Sequence, residues 1–275
     1  MPGLIFLKPG LQTLLVGAPR RGLAHFAVPR GGPMDPASAA VGRLLLRLPT
    51  DDDDAHPVLE VTALAPTMRF EQQTRLVLSG ADFGWTMNGE RVSLNTILEV
   101  PAKGVLRGGF SPNGLRGYVC IEGNLRRRNR PFHYAPFGAN ERLAWDALSP
   151  NAAFPLRPGP EFDRLDAASR RTLVAASFVL STDSNRTGAR LTGPLLRAVP
   201  PHLNDSVPVL PGFVQLPPHG MPLVVLQDGQ TTGGYPRIAY LPERELGRFN
   251  QVPLRGTVQF RWAEPSTESR RSFRV

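Results

Sequence analysis

The 275-residue chain has one cysteine, Cys120, two lysines, Lys8 and Lys103, and no run of apolar residues long enough to cross a membrane. A lone cysteine excludes an intramolecular disulfide and fits a reducing compartment, so a cytoplasmic location is expected. Cys120 lies within Tyr118-Val119-Cys120-Ile121 and reads as a buried structural thiol rather than a nucleophile. A membrane helix needs roughly 20 consecutive apolar residues, and none occur, so no membrane association is expected. Met1 to Gly17 is mildly apolar, but Lys8 and Pro9 interrupt it and no small-residue cleavage pattern follows. It does not read as a signal peptide.

Familiar chemical motifs are also missing. The chain has no G-x-x-x-x-G-K-[ST] phosphate loop, no G-x-G-x-x-G after a strand and no G-x-S-x-G nucleophile elbow. Its five histidines (His25, His56, His133, His202, His219) show no metal-ligand spacing, and Asp51 to Asp54 read as a solvated loop without a second ligand set. No metal is expected. The formal charge is +9, from 32 basic and 23 acidic residues, and 30 of the basic ones are arginines. The one basic cluster, Arg126-Arg127-Arg128-Asn129-Arg130, has no interleaved aromatics, so no nucleic-acid partner is expected. A solvated loop is the plain reading of that cluster, with an acidic protein or a small anionic substrate as the alternative.

What the chain does have is proline (29) and glycine (27) in excess, spread along its length. They favour many short elements over long helices, and 275 residues suffice for one large or two modest cores. Short apolar runs predict strands at Leu59–Thr62, Thr67–Phe70, Arg75–Ser79, Trp85–Met87, Ile97–Val100 and Arg116–Glu122. Further strands are predicted at Thr172–Leu180, Gly212–Leu216, Pro222–Gln227, Arg237–Leu241 and Gly256–Trp262. Asn88-Gly89 predicts a two-residue hairpin. One helix is well signalled: Asp35 as N-cap, Pro36 in its first turn, and Ala37, Ala40, Val41, Leu44, Leu45 and Leu48 on one face, closed by Pro49. Weaker helices are expected at Glu243–Phe249 and Leu195–Val199. The expected organisation is an N-terminal lobe over 1–150 and a C-terminal lobe over 151–275, divided within 126–160.

Four polar segments are candidates for function. Arg30 to Asp35 is a glycine-rich turn feeding a helix, whose free N–H groups would favour an anion, although an ordinary capped start fits as well. Leu78 to Asp82 ends a strand in a hydroxyl and a carboxylate, a pattern found more often in turns. Arg186 and Arg190, four apart, would share a face of an extended strand and could clamp a carboxylate or phosphate; surface ion pairs are the bland alternative. The densest segment is Gln227 to Pro236, holding Asp228, Gln230, Thr231, Thr232, Gly233, Gly234 and Tyr235. Its paired glycines allow positive φ and close approach of backbone to a ligand.

Together these pieces resemble the family of the 5-oxoprolinase C component, also described as allophanate hydrolase subunit 2 or the biotin-dependent carboxyltransferase domain. The matching residues are Lys8-Pro9-Gly10-Leu11, Val28-Pro29, Gly32, Met34-Asp35, Leu59-Glu60, Leu78 to Asp82, Gly117-Tyr118, Gly159-Pro160-Glu161, Arg186 to Leu191, Val214-Gln215 and Asp228 to Pro236. The resemblance implies a mainly β, two-lobed cyclophilin-like β-barrel architecture with a few short helices. It implies an ATP-dependent, nucleotide-binding hydrolase assembly that opens the lactam of 5-oxoproline to glutamate. The implied partners are the Kip-inhibitor-like B component and the A component of that oxoprolinase complex. No covalently bound cofactor is implied. Asp35 and Asp82 become candidate bases, and Asp228, Gln230 to Tyr235, Arg186 and Arg190 candidate substrate-binding residues.

The chain departs from the family pattern in its first half. Val16-Gly17 stands where Gln-Asp is usual, Arg43 replaces an asparagine, and Leu125 to Asn140 replaces a Gly-Ser-Arg-Ser-Thr segment. Two further readings therefore stay open. One is a carboxyltransferase component using carboxybiotin borne by another chain, and the other is a non-catalytic regulatory binding protein.

Overall fold

The computed structural model describes residues 3–48, 57–122 and 153–263. The Asp51–Asp54 and Arg126–Arg130 runs, the Leu125–Asn140 segment and positions 126–152 of the expected lobe division lie outside the described residues.

The described residues are mainly β, with three short α-helices. In the first half the strands are β1 (Leu4–Lys8), β2 (Gln12–Val16), β3 (Val58–Thr62), β4 (Thr67–Phe70), β5 (Thr74–Gly80), β6 (Thr86–Met87), β7 (Glu90–Arg91), β8 (Ile97–Val100), β9 (Val105–Arg107) and β10 (Arg116–Ile121), with helix α1 (Pro36–Leu45). They form two five-stranded sheets, ordered β1-β4-β9-β6-β7 and β2-β3-β10-β5-β8. The second half holds β11 (Phe154–Pro158), α2 (Ala167–Ala175), β12 (Ser177–Leu180), β13 (Gly188–Thr192), β14 (Val207–Pro208), β15 (Phe213–Gln215), β16 (Leu223–Val225), β17 (Thr232–Gly233), β18 (Arg237–Tyr240), α3 (Glu243–Phe249) and β19 (Thr257–Trp262). Seven of these strands close a barrel, β11-β18-β15-β16-β13-β12-β19, while β14 and β17 pair separately.

Most of the expected strands are present. The hairpin at Asn88-Gly89 joins β6 to β7, with φ of 52° and 94° at its two central residues. Two expectations are corrected. Thr172–Leu180 is not one strand: Asp166 caps α2 by accepting from the Ser169 N–H, and the chain becomes extended only at Ser177. Leu195–Val199 is not helical, because its backbone is spent on other partners, with Leu196 N–H donating to Gly220 and Val199 N–H to Arg164.

Strand alternation divides the second sheet between two environments. Leu59, Val61, Leu76, Leu78, Val119 and Ile121 point into the core between the two sheets. Val16, Val58, Val77, Tyr118 and Cys120 point the other way, into a smaller cluster with Ala39 and Leu46 of the α1 segment. Helix α1 lies on this outer face through Ser38, Ala39, Gly42 and Arg43, while Leu44 and Leu45 are exposed. The buried face is thus the small-residue face and not the leucine stripe. Gly42 explains the choice, since a Cβ there would collide with the Cβ of Cys120. The barrel has its own core, which includes one residue of the first half, Met34, fully buried among barrel side chains.

Candidate functional site at the seam between the sheet and the barrel

The outer face of the β2-β3-β10-β5 sheet presents three successive rows. Val16, Val58 and Cys120 make the apolar row under α1. Next comes a row of cross-strand neighbours, Leu14, Glu60, Tyr118 and Ser79. The third is Gln12, Thr62 and Arg116. The middle row is polar where it meets the barrel. Glu60 is completely buried, and Tyr118 is 1% exposed. Isolated, a carboxylate there would be very costly. It is instead surrounded by donors. Glu60 accepts from the Met34 N–H at 2.8 Å, the Tyr118 hydroxyl at 2.9 Å and the Arg186 guanidinium.

Arg186 carries the second half's contribution. Its Nε and Nη2 make a two-point pair with Asp228 at 2.7 and 3.0 Å, and Nη2 also donates to the Gly32 carbonyl at 2.7 Å. Glu60 and Asp228, on opposite sides of it, raise its pKa against the opposing effect of burial, which is the largest single influence. Gly31 donates its N–H to the Gln227 carbonyl at 2.7 Å. The two glycine-rich segments read from the sequence therefore meet, and Arg186 joins them to the Glu60 row.

Asp35 is 4% exposed and caps α1. Its carboxylate accepts from Ser38 N–H, Ser38 Oγ and Gln251 Nε2, at 3.2, 2.6 and 2.8 Å. Of the two readings of this helix start, the geometry is that of the capped one: Glu60 and the Tyr118 hydroxyl take the Met34 and Asp35 N–H groups, and the Asp35 carboxylate takes that of Ser38. Asp82 is elsewhere, half-buried at the first-half surface, accepting from Gly84 N–H and paired with Arg91 at 2.6 Å. Asp35 and Asp82 share no hydrogen-bond partner.

The arginine clamp is also corrected. Asn185 Oδ1 accepts from the N–H groups of Thr187 and Gly188, which turns the chain before β13 begins. Arg186 is consequently buried and Arg190 exposed. In the Gln227–Pro236 segment, the paired Gly233 and Gly234 do not use the left-handed backbone open to them; Gly31 and Gly32 do, at φ 65° and 87°. At Gly233 the backbone comes close to a neighbour instead, since a Cβ would stand 2.9 Å from Gln215 Nε2 and that amide would have to shift. Gln230 donates to Gln215 at 3.1 Å, Thr231 and Gly234 carbonyls bind the chain at Val209 and Leu203, and Tyr235 is exposed. Sequence reasoning missed Arg116, Asn250 and Gln251, all buried at the seam. Gln251 bonds Asp35 and Arg116, and Asn250 Nδ2 donates to the Met34 carbonyl at 2.8 Å.

A cleft of about 250 Å³ opens at the third row, lined by Gln12, Thr62, Arg116, Asn185, Leu226 and Asn250 among others. Among the described residues no group of three or more His, Cys, Asp or Glu side chains could hold a metal, and no helix is long and apolar enough to cross a membrane.

The model of the carboxyltransferase domain, subdomain A and B, matches residues 26–130 and 128–262. The chain belongs to this carboxyltransferase domain family. It is 28% identical to the 5-oxoprolinase C component of Escherichia coli, across 94% of this chain and 90% of that protein. Its identity to the 5-oxoprolinase C component of Haemophilus influenzae is 27%, across 88% and 85%. The Saccharomyces cerevisiae urea amidolyase is 25% identical across 97% of this chain but 17% of its own length. Among solved structures, TTHA0988 superposes with a TM-score of 0.79 at 26% identity, covering 95% of this carboxyltransferase domain, which spans 55% of that chain. The Kluyveromyces lactis urea amidolyase shares the fold, with a TM-score of 0.77.

Proposed function

We propose that this carboxyltransferase-family chain is the C component of an ATP-dependent 5-oxoprolinase-type assembly. The assembly would open the lactam of 5-oxoproline to glutamate, in the cytoplasm, with a Kip-inhibitor-like B component and an A component. The observation that carries the reading is similarity to the 5-oxoprolinase C component over nearly the full length of both chains. An unstrained amide is a poor electrophile, and phosphorylation of its oxygen by ATP would activate it toward water. Within this chain, Asp228 would be the base because its side chain is 36% exposed and so within reach of a substrate, while its two-point pair with Arg186 fixes its position and does not add to its basicity. Backbone N–H groups of the Gln230–Tyr235 turn would hold developing negative charge. Asp35, with three donors on its carboxylate, would fix the Gly31–Asp35 loop rather than move protons. Asp82 and Arg190 would act at most through surface contacts with the substrate or a partner.

Co-expression with the A and B components, followed by assay of 5-oxoproline-dependent ATP hydrolysis, tests the reading. Turnover that falls by roughly 100-fold or more in Asp228→Asn supports it. A stable complex with the B component but no turnover favours the regulatory reading, which Val16-Gly17 and Arg43 also favour. Carboxyl transfer from carboxybiotin on another chain is favoured by the urea amidolyase similarity. Absence of any complex would defeat the oxoprolinase and regulatory readings together.

A further inference from the structure

Residues 20–30 stand off the first half as a closed loop. Its ends are tied where the Arg20 N–H donates to the Arg30 carbonyl at 2.6 Å. Inside it, Ala24–Phe26 make one tight helical turn, with Phe26 N–H donating to Leu23 and Ala27 N–H to Ala24, both at 3.0 Å. Ala27 holds a left-handed φ of 58°, a conformation that a residue with a side chain adopts at a cost. Every residue of 20–27 is nonetheless exposed, and the turn buries none of its side chains. A loop with a bonded backbone and no core of its own is shaped to project and not to pack.

The tip of this loop is apolar and its flank is cationic. Phe26 is 68% exposed and Leu23 37%, with the His25 ring against Phe26 at 3.9 Å between centroids. Arg20 and Arg21 precede them, and no carboxylate among the described residues pairs with either. Arg30, at the foot, is already engaged by Glu243. No aspartate or glutamate precedes Asp35 in the chain, so nothing within the loop balances Arg20 and Arg21. Aromatic and arginine side chains are the types enriched in protein–protein interfaces and among their anchoring residues. The foot of the loop leads directly into the seam, where Gly31 N–H donates to Gln227 and the Gly32 carbonyl accepts from Arg186.

We propose that the 20–30 loop is a docking arm for a partner protein, with Phe26 and Leu23 seated in an apolar pocket and Arg20 and Arg21 facing carboxylates on its rim. The charge decides the kind of partner. A second copy of this chain fits poorly, since it brings the same unbalanced arginines and a formal charge of +9. A nucleic acid fits poorly too, because two unpaired arginines offer few phosphate contacts and the apolar tip would gain nothing from a phosphate backbone. An acidic protein surface satisfies both the tip and the flank. The B component of the proposed assembly is that partner, and in this choice the inference rests on the reading above.

Surface plasmon resonance with the B component immobilised and the full chain in solution tests the docking. Phe26→Ala should weaken binding by roughly 30-fold, chiefly through faster dissociation. Arg20→Ala/Arg21→Ala should slow association by roughly tenfold at about 50 mM salt and by little at about 0.5 M. Phe110→Ala truncates the still more exposed first-half phenylalanine (73%) and should bind like the parent. All four side chains are exposed, so each variant should keep the parent's thermal midpoint. Unchanged binding in Phe26→Ala overturns the docking arm and leaves the oxoprolinase reading standing. A loss in Phe110→Ala as large as that in Phe26→Ala does the same. No complex with the parent overturns both. Two further arms offer the parent a single-stranded RNA of about 20 nucleotides and phosphatidylserine vesicles. Saturable binding to either, abolished in Phe26→Ala, would give the loop to that surface and overturn the protein partner.

Discussion

Replacing Arg186 with methionine removes the one side chain that ties Glu60, Asp228 and the Gly32 carbonyl together. Methionine keeps much of the hydrocarbon stem, so the loss is mainly electrostatic. Glu60, with no solvent exposure, would be left as a buried carboxylate with only the Met34 N–H and Tyr118 hydroxyl as donors. Breaking a buried pair from one side costs about 3–5 kcal/mol. For a chain this size, at about 2–4 °C per kcal/mol, the midpoint should fall by roughly 6–20 °C. Glu60→Gln should cost less, because its amide oxygen can still accept from the Met34 N–H. The double variant Glu60→Gln/Arg186→Met should recover part of the loss, giving a coupling energy of about 1 kcal/mol or more in a double-mutant cycle. Urea denaturation followed by tryptophan fluorescence measures all four proteins. If Arg186→Met lies within about 1 kcal/mol of the parent, or the cycle shows no coupling, the seam is not held as described.

Three other outcomes follow from local geometry. Cys120 is 1% exposed and burial pushes its thiol up to about 12, so it should resist thiol reagents at pH 8 and react only on unfolding; rapid labelling of the folded chain would contradict this. Gly42→Ala should destabilise by about 1–3 kcal/mol despite alanine's higher helix propensity, because the new Cβ meets Cys120, and a stabilised variant in urea denaturation would refute the close contact. At Glu161, burial raises the carboxyl pKa, but the Arg237 bonds outweigh it and hold the value below the usual range. Its contribution is therefore present above the unfolded-state value and lost as pH falls through the folded one. The cost of Arg237→Met should be full at pH 7 and shrink below about pH 4; a constant difference in thermal midpoint from pH 7 to 3 would contradict the pairing.

Much of the fold is legible in the sequence because it is local. Thr67–Phe70 and Ile97–Val100 appear as strands with the bounds their residues suggest, and Asn88-Gly89 turns as its φ preferences require. The errors come from choices made by the tertiary neighbours. The spacing of α1 predicts a buried leucine face, yet the sheet accepts its Ser38-Ala39-Gly42 face because only small residues can come so close to Cys120. Arg186 and Arg190 have the spacing of a clamp, but the Asn185 side chain, by turning the backbone between them, changes which way each one faces. The seam itself is half visible. Polar density flags Asp35 and Asp228, while Arg116, Asn250 and Gln251 carry no local signal and gain meaning only through partners more than 130 residues away.

Met34 also bears on how the two halves can come apart. It is seated in the barrel core, and its backbone is fastened at both ends, N–H to Glu60 and carbonyl to Asn250. A barrel expressed from residue 153 onward would carry a hole where that thioether belongs, and the remaining half would present an unmatched hydrophobic hook. Gene fission at this boundary would therefore yield two fragments that need each other to become soluble. Mixed in solution, such fragments should complement one another, with the methionine acting as the plug that completes the rejoined protein.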